Sequence, residues 1–359
     1  MSTQITNYQC PACTGPLRYD GESGKLKCDY CESSFTIEEV EALFADKNEK
    51  AEMATVQEPP VSSEWGEDAG HMRAYSCPSC GAELICEETT AATACPYCGN
   101  PTVVPGQFGG TKKPDCIIPF KLSKEQAVAA LKKHYQGKPL LPKEFADENH
   151  LQEIKGVYVP FWLFDGQADA DVTFKTTRSH TRSNGKERII TTEHFEVWRK
   201  GFVPFSHVPV DGASKMPDSH MDAIEPFDYQ DLKPFSLSYL PGFLADKYDV
   251  SAEECASRAE ERCRSSAVSA MRGTVVGYES CVPMREDVTV RHSDVQYALL
   301  PVWLLSTKWK NQNYLFAMNG QTGKLIGDLP ISWARFWTWF GGIFAASAAV
   351  MSLIRFVFL

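Results

Sequence analysis

Two stretches, GVYVPFWLFDG at residues 156–166 and YALLPVWLLST at residues 297–307, decide how this chain folds. Each reads as a strand, and Pro160-x-Trp162-Leu163 in the first aligns with Pro301-x-Trp303-Leu304 in the second. Upstream of each lies a helix that opens on a capping box. Ser123 and Gln126 start one, with Val128, Leu131 and Tyr135 on one face and Gly137 as its stop. Ser251 and Glu254 start the other, which runs to about Gly273 with Ala256, Ala259, Cys263, Ala267 and Ala270 as a stripe of small residues suited to close packing. The pattern predicts two related helix-plus-strand halves. Long strands surround them: residues 168–200 read as an extended hairpin turning at Asn184-Gly185, and residues 313–330 as a last hairpin turning near Asn319-Gly320. The predicted fold class is α+β and strand-rich, with two main helices in the body.

Upstream of this body, CPACTGPLRYDGESGKLKCDYC and CPSCGAELICEETTAATACPYC each set two Cys-x-x-Cys pairs fourteen residues apart. Two such turns at the ends of a short hairpin close a tetrahedral sulfur cage. The spacing predicts one cage from Cys10, Cys13, Cys28 and Cys31, and another from Cys77, Cys80, Cys95 and Cys98. The cofactor expected is Zn2+, as two structural ions, although rubredoxin-type iron uses similar ligands. A lone Cys-x-x-Cys would fit a redox dithiol, but the repeated double pairs do not. Four thiolates leave no coordination position for water or substrate, so the metal serves folding. Each ribbon has too few apolar residues to fold by itself, and zinc supplies about 10–16 kcal/mol in small peptides of this kind. Of thirteen cysteines, Cys86, Cys116, Cys255, Cys263 and Cys281 fall outside the cages, an odd remainder that points to a reducing compartment.

Charge bears on function. Residues 1–106 hold six Lys/Arg against seventeen Asp/Glu, net −11, while residues 107–359 hold thirty against twenty-nine, net +1, giving the overall −10. A ribbon that binds nucleic acid needs a basic face to neutralise phosphate, and this acidic arm would repel it. The linker between the ribbons is its most acidic part and reads as a short helix followed by a tether.

The far end is apolar. Residues 336–354 are nineteen positions without a charge, about 28 Å of helix at 1.5 Å per residue, close to a bilayer core. Trp333, Trp337 and Trp339 cluster where an interfacial belt would sit. The expectation is a single-pass C-terminal transmembrane helix in the cell membrane, with the bulk of the chain in the cytoplasm. No hydrophobic run resembling a secretory signal opens the sequence.

The usual catalytic constellations are missing from the sequence. NGQTGK at residues 319–324 lacks the spacing of a phosphate loop, and neither G-x-S-x-G nor H-E-x-x-H occurs. The best polar cluster, His207, Asp211, His220 and Asp222, would need an extended segment to bring ligands together for a divalent metal. The aromatic run at residues 224–250 reads as a packed irregular segment or a docking surface. The chain is thus expected not to be an enzyme.

Several motifs, in order, carry a resemblance: TTAATACPYCGNP, GVYVPFWLFDG, VPVDGASKM, AIEPFDY, LPGFLADKYDV, LPVWLL and FAMNGQTGKLIGDLP. Across nearly its whole length the chain resembles the bacterial TFIIB-type zinc-ribbon membrane proteins. Members often carry the label of a primosomal replication helicase, against which stand the missing phosphate loop, the acidic arm and the apolar tail. The resemblance implies zinc, and partners among membrane-associated proteins of the SPFH and phage-shock type, and carries over the eight cage cysteines as sites. The organisation expected is a zinc ribbon at 1–37, an acidic linker at 38–70, a second ribbon at 71–106, an α+β body at 107–331 and a membrane anchor at 333–359. The function expected is a membrane-anchored cytoplasmic scaffold whose ribbons bind protein partners, against the alternative of a nucleic-acid-binding zinc-ribbon regulator.

Overall fold

The computed structural model describes residues 10–11, 17–21, 23–28, 31–40, 72–77, 82–87, 95–97, 104–106, 112–142, 145, 154–183, 187–309 and 312–358. At its centre two long strands, β8 (Lys155–Ser183) and β12 (Ser280–Trp309), run antiparallel with Val159 opposite Leu300. The middle of each strand is buried on both faces. Val157, Val159, Phe161 and Leu163 point into one core, while Tyr158, Trp162 and Phe164 point into the other. Strands so covered need a continuous apolar run, which is why the two stretches show no polar alternation.

Short strands flank the pair. β7 (Cys116–Ile117) lies parallel to β12, and β11 (Leu244–Asp246) lies parallel to β8. β7 precedes helix α1 (Lys124–Tyr135) and then β8; β11 precedes helix α3 (Ala252–Gly273) and then β12. Each half therefore lends its short strand to the long strand of the other half. Both helices start on complete capping boxes, Ser123 with Gln126 and Ser251 with Glu254. Between the halves lie helix α2 (Asp218–Ile224) and strand β10 (Lys233–Pro234), which pairs with β7.

The two N-terminal modules meet the body differently. β1 (Leu17–Asp20), β2 (Lys25–Cys28) and β3 (Ser34–Phe35) form their own small sheet. That sheet sits on the core shared with α1: Tyr19 N–H donates to Pro241 O at 3.3 Å, and its ring meets Tyr239 edge-on at 5.5 Å. In the second module β4 (Met72–Ser76) pairs with β5 (Glu83–Glu87) and with β6 (Val104–Gly106). β5 then pairs with β11, so this module continues the body sheet, which counts eleven strands among the described residues.

Beyond the core, β8, β12 and β9 (Arg188–Asp211) extend as a three-stranded arm. It departs at irregularities between Phe164 and Gly166 and between His292 and Asp294. Helix α3 lays Ala267 and Met271 on one face of the arm, against Ala168, Ala170, Val172 and Phe174. Residues alternate across a strand, so Asp169 and Thr173 point to the other face, where their β9 partners Phe202 and Trp198 are 66% and 60% exposed. β13 (Gln312–Asn319) and β14 (Leu325–Gly327) complete the sheet edge, and the hairpin turn foreseen at Asn184-Gly185 lies outside the described residues.

The C-terminal segment corrects an expectation. Helix α4 (Trp333–Phe358) forms, held at its start by Ser332 N–H donating to Leu140 O at 2.8 Å and by Arg335 donating to Leu141 O. Among the described residues, however, no helix is long and apolar enough to cross a membrane. Within the expected span the described residues include Trp337, Thr338, Trp339, Gly341 and Gly342, which dilute the apolar character that the charge-free count alone suggested. Leu353 and Ile354, at the end of the expected span, lie where side chains are not described. The predicted transmembrane helix, and the cell-membrane location built on it, are thereby overturned.

Candidate metal centres

In the first module Cys28 ends β2 and Cys31 follows in the tight turn beyond it. Cys28 N–H donates to Ser33 O at 2.9 Å and Glu32 N–H donates to Cys28 O at 3.0 Å, which closes the turn and forces Glu32 to a φ of +59°. Cys10 comes in from the preceding segment. The sulfurs of Cys10, Cys28 and Cys31 lie within 4.8 Å of one another, and Cys10 Sγ is 3.5 Å from Cys31 Sγ. That separation is far beyond a disulfide bond of about 2.05 Å. It is close to the edge, about 3.8 Å, of a tetrahedron with metal–sulfur distances near 2.3 Å. The donor set and its spacing fit zinc, with Cys13, the fourth predicted ligand, outside the described residues.

In the second module Cys77 follows β4, with its N–H donating to Ala82 O at 2.9 Å, and both Cys77 and Cys95 are buried. Cys80 and Cys98 lie outside the described residues. The body cysteines have a different character. Burial pushes the Cys116 thiol up to about 12 and that of Cys255 to about 11, and raises Cys263 as well. Protonated and enclosed, these three are poor nucleophiles and pack as small apolar groups.

Of the polar cluster foreseen in the body, Asp211 and Asp222 come together only around an arginine, and the two histidines form no ligand set with them. Arg258 donates to Asp211 at 2.8 Å and to Asp222 at 2.7 Å, while Arg262 donates to Glu225 at 2.9 Å. His220 is buried with neither ring nitrogen hydrogen-bonded among the described residues. His207 turns elsewhere: its N–H donates to Asp165 at 2.6 Å and its ring stacks on Tyr229 at 5.2 Å. The Cys10, Cys28 and Cys31 group is the only set of three or more His, Cys, Asp or Glu ligands close enough to hold a metal among the described residues. Arginines on α3 occupy the carboxylates that a second metal would need.

One functional-looking pair escaped the sequence. Asp246, on β11, is 3% exposed and takes hydrogen bonds from the Tyr97 hydroxyl and from Lys247 N–H. Burial pushes its carboxyl up to about 7, more than those hydrogen bonds pull it down, and burial likewise drives the Tyr97 hydroxyl well above its ordinary range. Tyr97 sits in the second Cys-x-x-Cys turn, so this pair ties the turn to the body, beside the Lys247–Glu83 ion pair at 3.0 Å. An aspartate inside the short apolar run FLAD was the available signal, but nothing local in the sequence names its partner.

Over 355 residues the chain is 33% identical to "Uncharacterized protein YdjG" of Bacillus subtilis (strain 168), an alignment covering 98% of this chain and 97% of that one. No protein-family model matches the chain, and no solved structure matches it.

Proposed function

The chain belongs to the family of Bacillus subtilis YdjG, and on that premise we propose that it is a non-catalytic zinc-ribbon scaffold of the TFIIB-type group that binds protein partners. The open face of the arm carries the reading. Trp198 and Phe202 stand exposed there, and Ile190, on the same face of β9, is exposed farther from the core. Large apolar side chains gathered on one exposed surface mark interaction sites. Sulfur-saturated metal sites supply rigid shape without an open coordination position, which suits recognition and not catalysis. The two ribbons hold Zn2+ through Cys10, Cys13, Cys28 and Cys31 and through Cys77, Cys80, Cys95 and Cys98.

Affinity capture on the full chain tests this. Proteins recovered by the wild type are compared with those recovered by Trp198→Ser/Phe202→Ser and by Cys10→Ser/Cys28→Ser. Loss of an arm hot spot should weaken recovery of a given partner at least about tenfold while leaving thermal stability nearly unchanged. Recovery that neither variant alters would rule out both surfaces. Titration against DNA at rising salt checks the nucleic-acid alternative, which requires binding that weakens steeply with salt.

A further inference from the structure

Between the first ribbon and the body lies a cleft of about 280 Å³. The β1 hairpin forms one side through Arg18, Tyr19, Asp20 and Gly21, and the starts of α1 and β8, residues 242–244 and Trp303 form the rest. Its size places it at the small end of sites that enclose metabolites. Phe243 and Trp303 make the floor aromatic, and the buried Phe120 backs them, stacked on Phe243 with ring centroids 4.1 Å apart, while Trp303 meets both phenylalanine rings edge-on. The polar edge of the indole is already committed, since Trp303 Nε1–H donates to Leu122 O at 3.1 Å. Ser123 is likewise engaged in its helix cap, accepting from Gln126 N–H.

The remaining polar lining is mainly cationic. Arg18, Lys124 and Lys155 line the cleft against a single carboxylate, Asp20, which accepts a hydrogen bond from Ser23 at 2.7 Å. Neither Arg18 nor Lys124 makes a salt bridge among the described residues, and the Glu125 carboxylate, which accepts from Ser123 Oγ at 2.8 Å, lies near both without pairing directly with either. Gly242, at a φ of +87°, lets the Arg18 side chain lie across it, and a Cβ there would come within 2.5 Å of Arg18 Cγ. Arg18 thus spans from the ribbon onto the body backbone at the cleft wall.

We propose that this cleft binds a small organic anion with a planar apolar body, and that the bound anion clamps the first ribbon to the body. The rings take the apolar part by stacking, and the Arg18 and Lys124 cations take the acid group. This goes beyond the scaffold reading and does not depend on it.

The probe is 2-naphthoate, with neutral 2-naphthamide as its isostere, titrated calorimetrically into the full chain. Naphthoate should bind saturably and about tenfold or more tighter than the amide. Arg18→Gln/Lys124→Gln should erase that preference with the melting temperature unchanged, and Lys124→Arg should keep it. Hydrogen exchange supplies the second readout: naphthoate should slow exchange at residues 17–20, where Tyr19 N–H is bonded to Pro241 O, and leave residues 72–76 unaffected. Absence of saturable binding, equal affinity for acid and amide, or a preference surviving in Arg18→Gln/Lys124→Gln overturns the site. Unaltered exchange at residues 17–20 overturns the clamp.

Discussion

Asp246 is a carboxylate whose folded environment favours its proton. Its ordinary value of 3.8 rises to about 7 chiefly through burial, and Asp211 rises in the same direction to about 6 even beside Arg258. The folded protein therefore keeps protons that the unfolded chain releases between about pH 4 and about pH 7, so these groups make stability fall as pH rises through that window. Asp246→Asn should flatten the fall, read as a smaller difference in melting temperature between the acid and neutral ends; an unchanged slope would refute the assignment. A second single-residue outcome concerns Asn319, which is fully buried. Its Nδ2 donates to Ile224 O at 3.1 Å and to Pro226 O at 3.3 Å, and its Oδ1 accepts from Gln321 and Thr322 N–H, both at 2.9 Å. Asn319→Ala strands all four groups, so chemical denaturation should register a loss of about 3 kcal/mol or more. Neither role was legible in the sequence, because an Asn before Gly reads as a plain turn whether or not it ties two segments together.

Among the elements, α3 was the most legible. Its capping box appears in the sequence, and of the predicted stripe the structure buries Ala259, Cys263 and Ala267, leaves Ala256 half-buried and Ala270 exposed, and completes the buried face with Cys255 and Met271. Ala is used there because the helix lies directly on the arm, where Gly201 faces Met271 at 3.1 Å from an added Cβ. Ala267→Leu should overpack this contact and cost about 1–3 kcal/mol in urea unfolding; a neutral outcome would mean that the arm yields to accommodate it. The final helix teaches the opposite lesson. A charge-free count reads only the absence of Asp, Glu, Lys and Arg, whereas the hydropathy of α4 is lowered by Trp337, Thr338, Trp339, Gly341 and Gly342. Length without charge was thus a weaker criterion than length with apolarity.

At the level of the molecule, the two N-terminal modules are wired unequally into the body. The first forms a separate sheet that rests on the body, while the second adds its strands to the body sheet through the β5–β11 pairing. Metal analysis should return two zinc ions per chain. Their removal should have different consequences. Cys77→Ser should lower the melting temperature of the body more than Cys10→Ser does, because losing the second cage also frees the β5 edge and the Tyr97–Asp246 contact. Equal effects in the two variants would mean that the shared sheet does not transmit the loss.

The sequence by itself determined the local units, two capped helices and two apolar strands, each specified by residues close together in the chain, and it set the spacing of the cysteines from which the proposed cages are built. Tertiary structure alone decided that each half gives its short strand to the other half, that one ribbon extends the sheet while the other rests on it, and that Tyr97 meets Asp246 across 149 residues. The reason is physical: propensity and capping act over a few residues, whereas strand partners and buried polar pairs are selected by which surfaces can cover one another once the chain has collapsed.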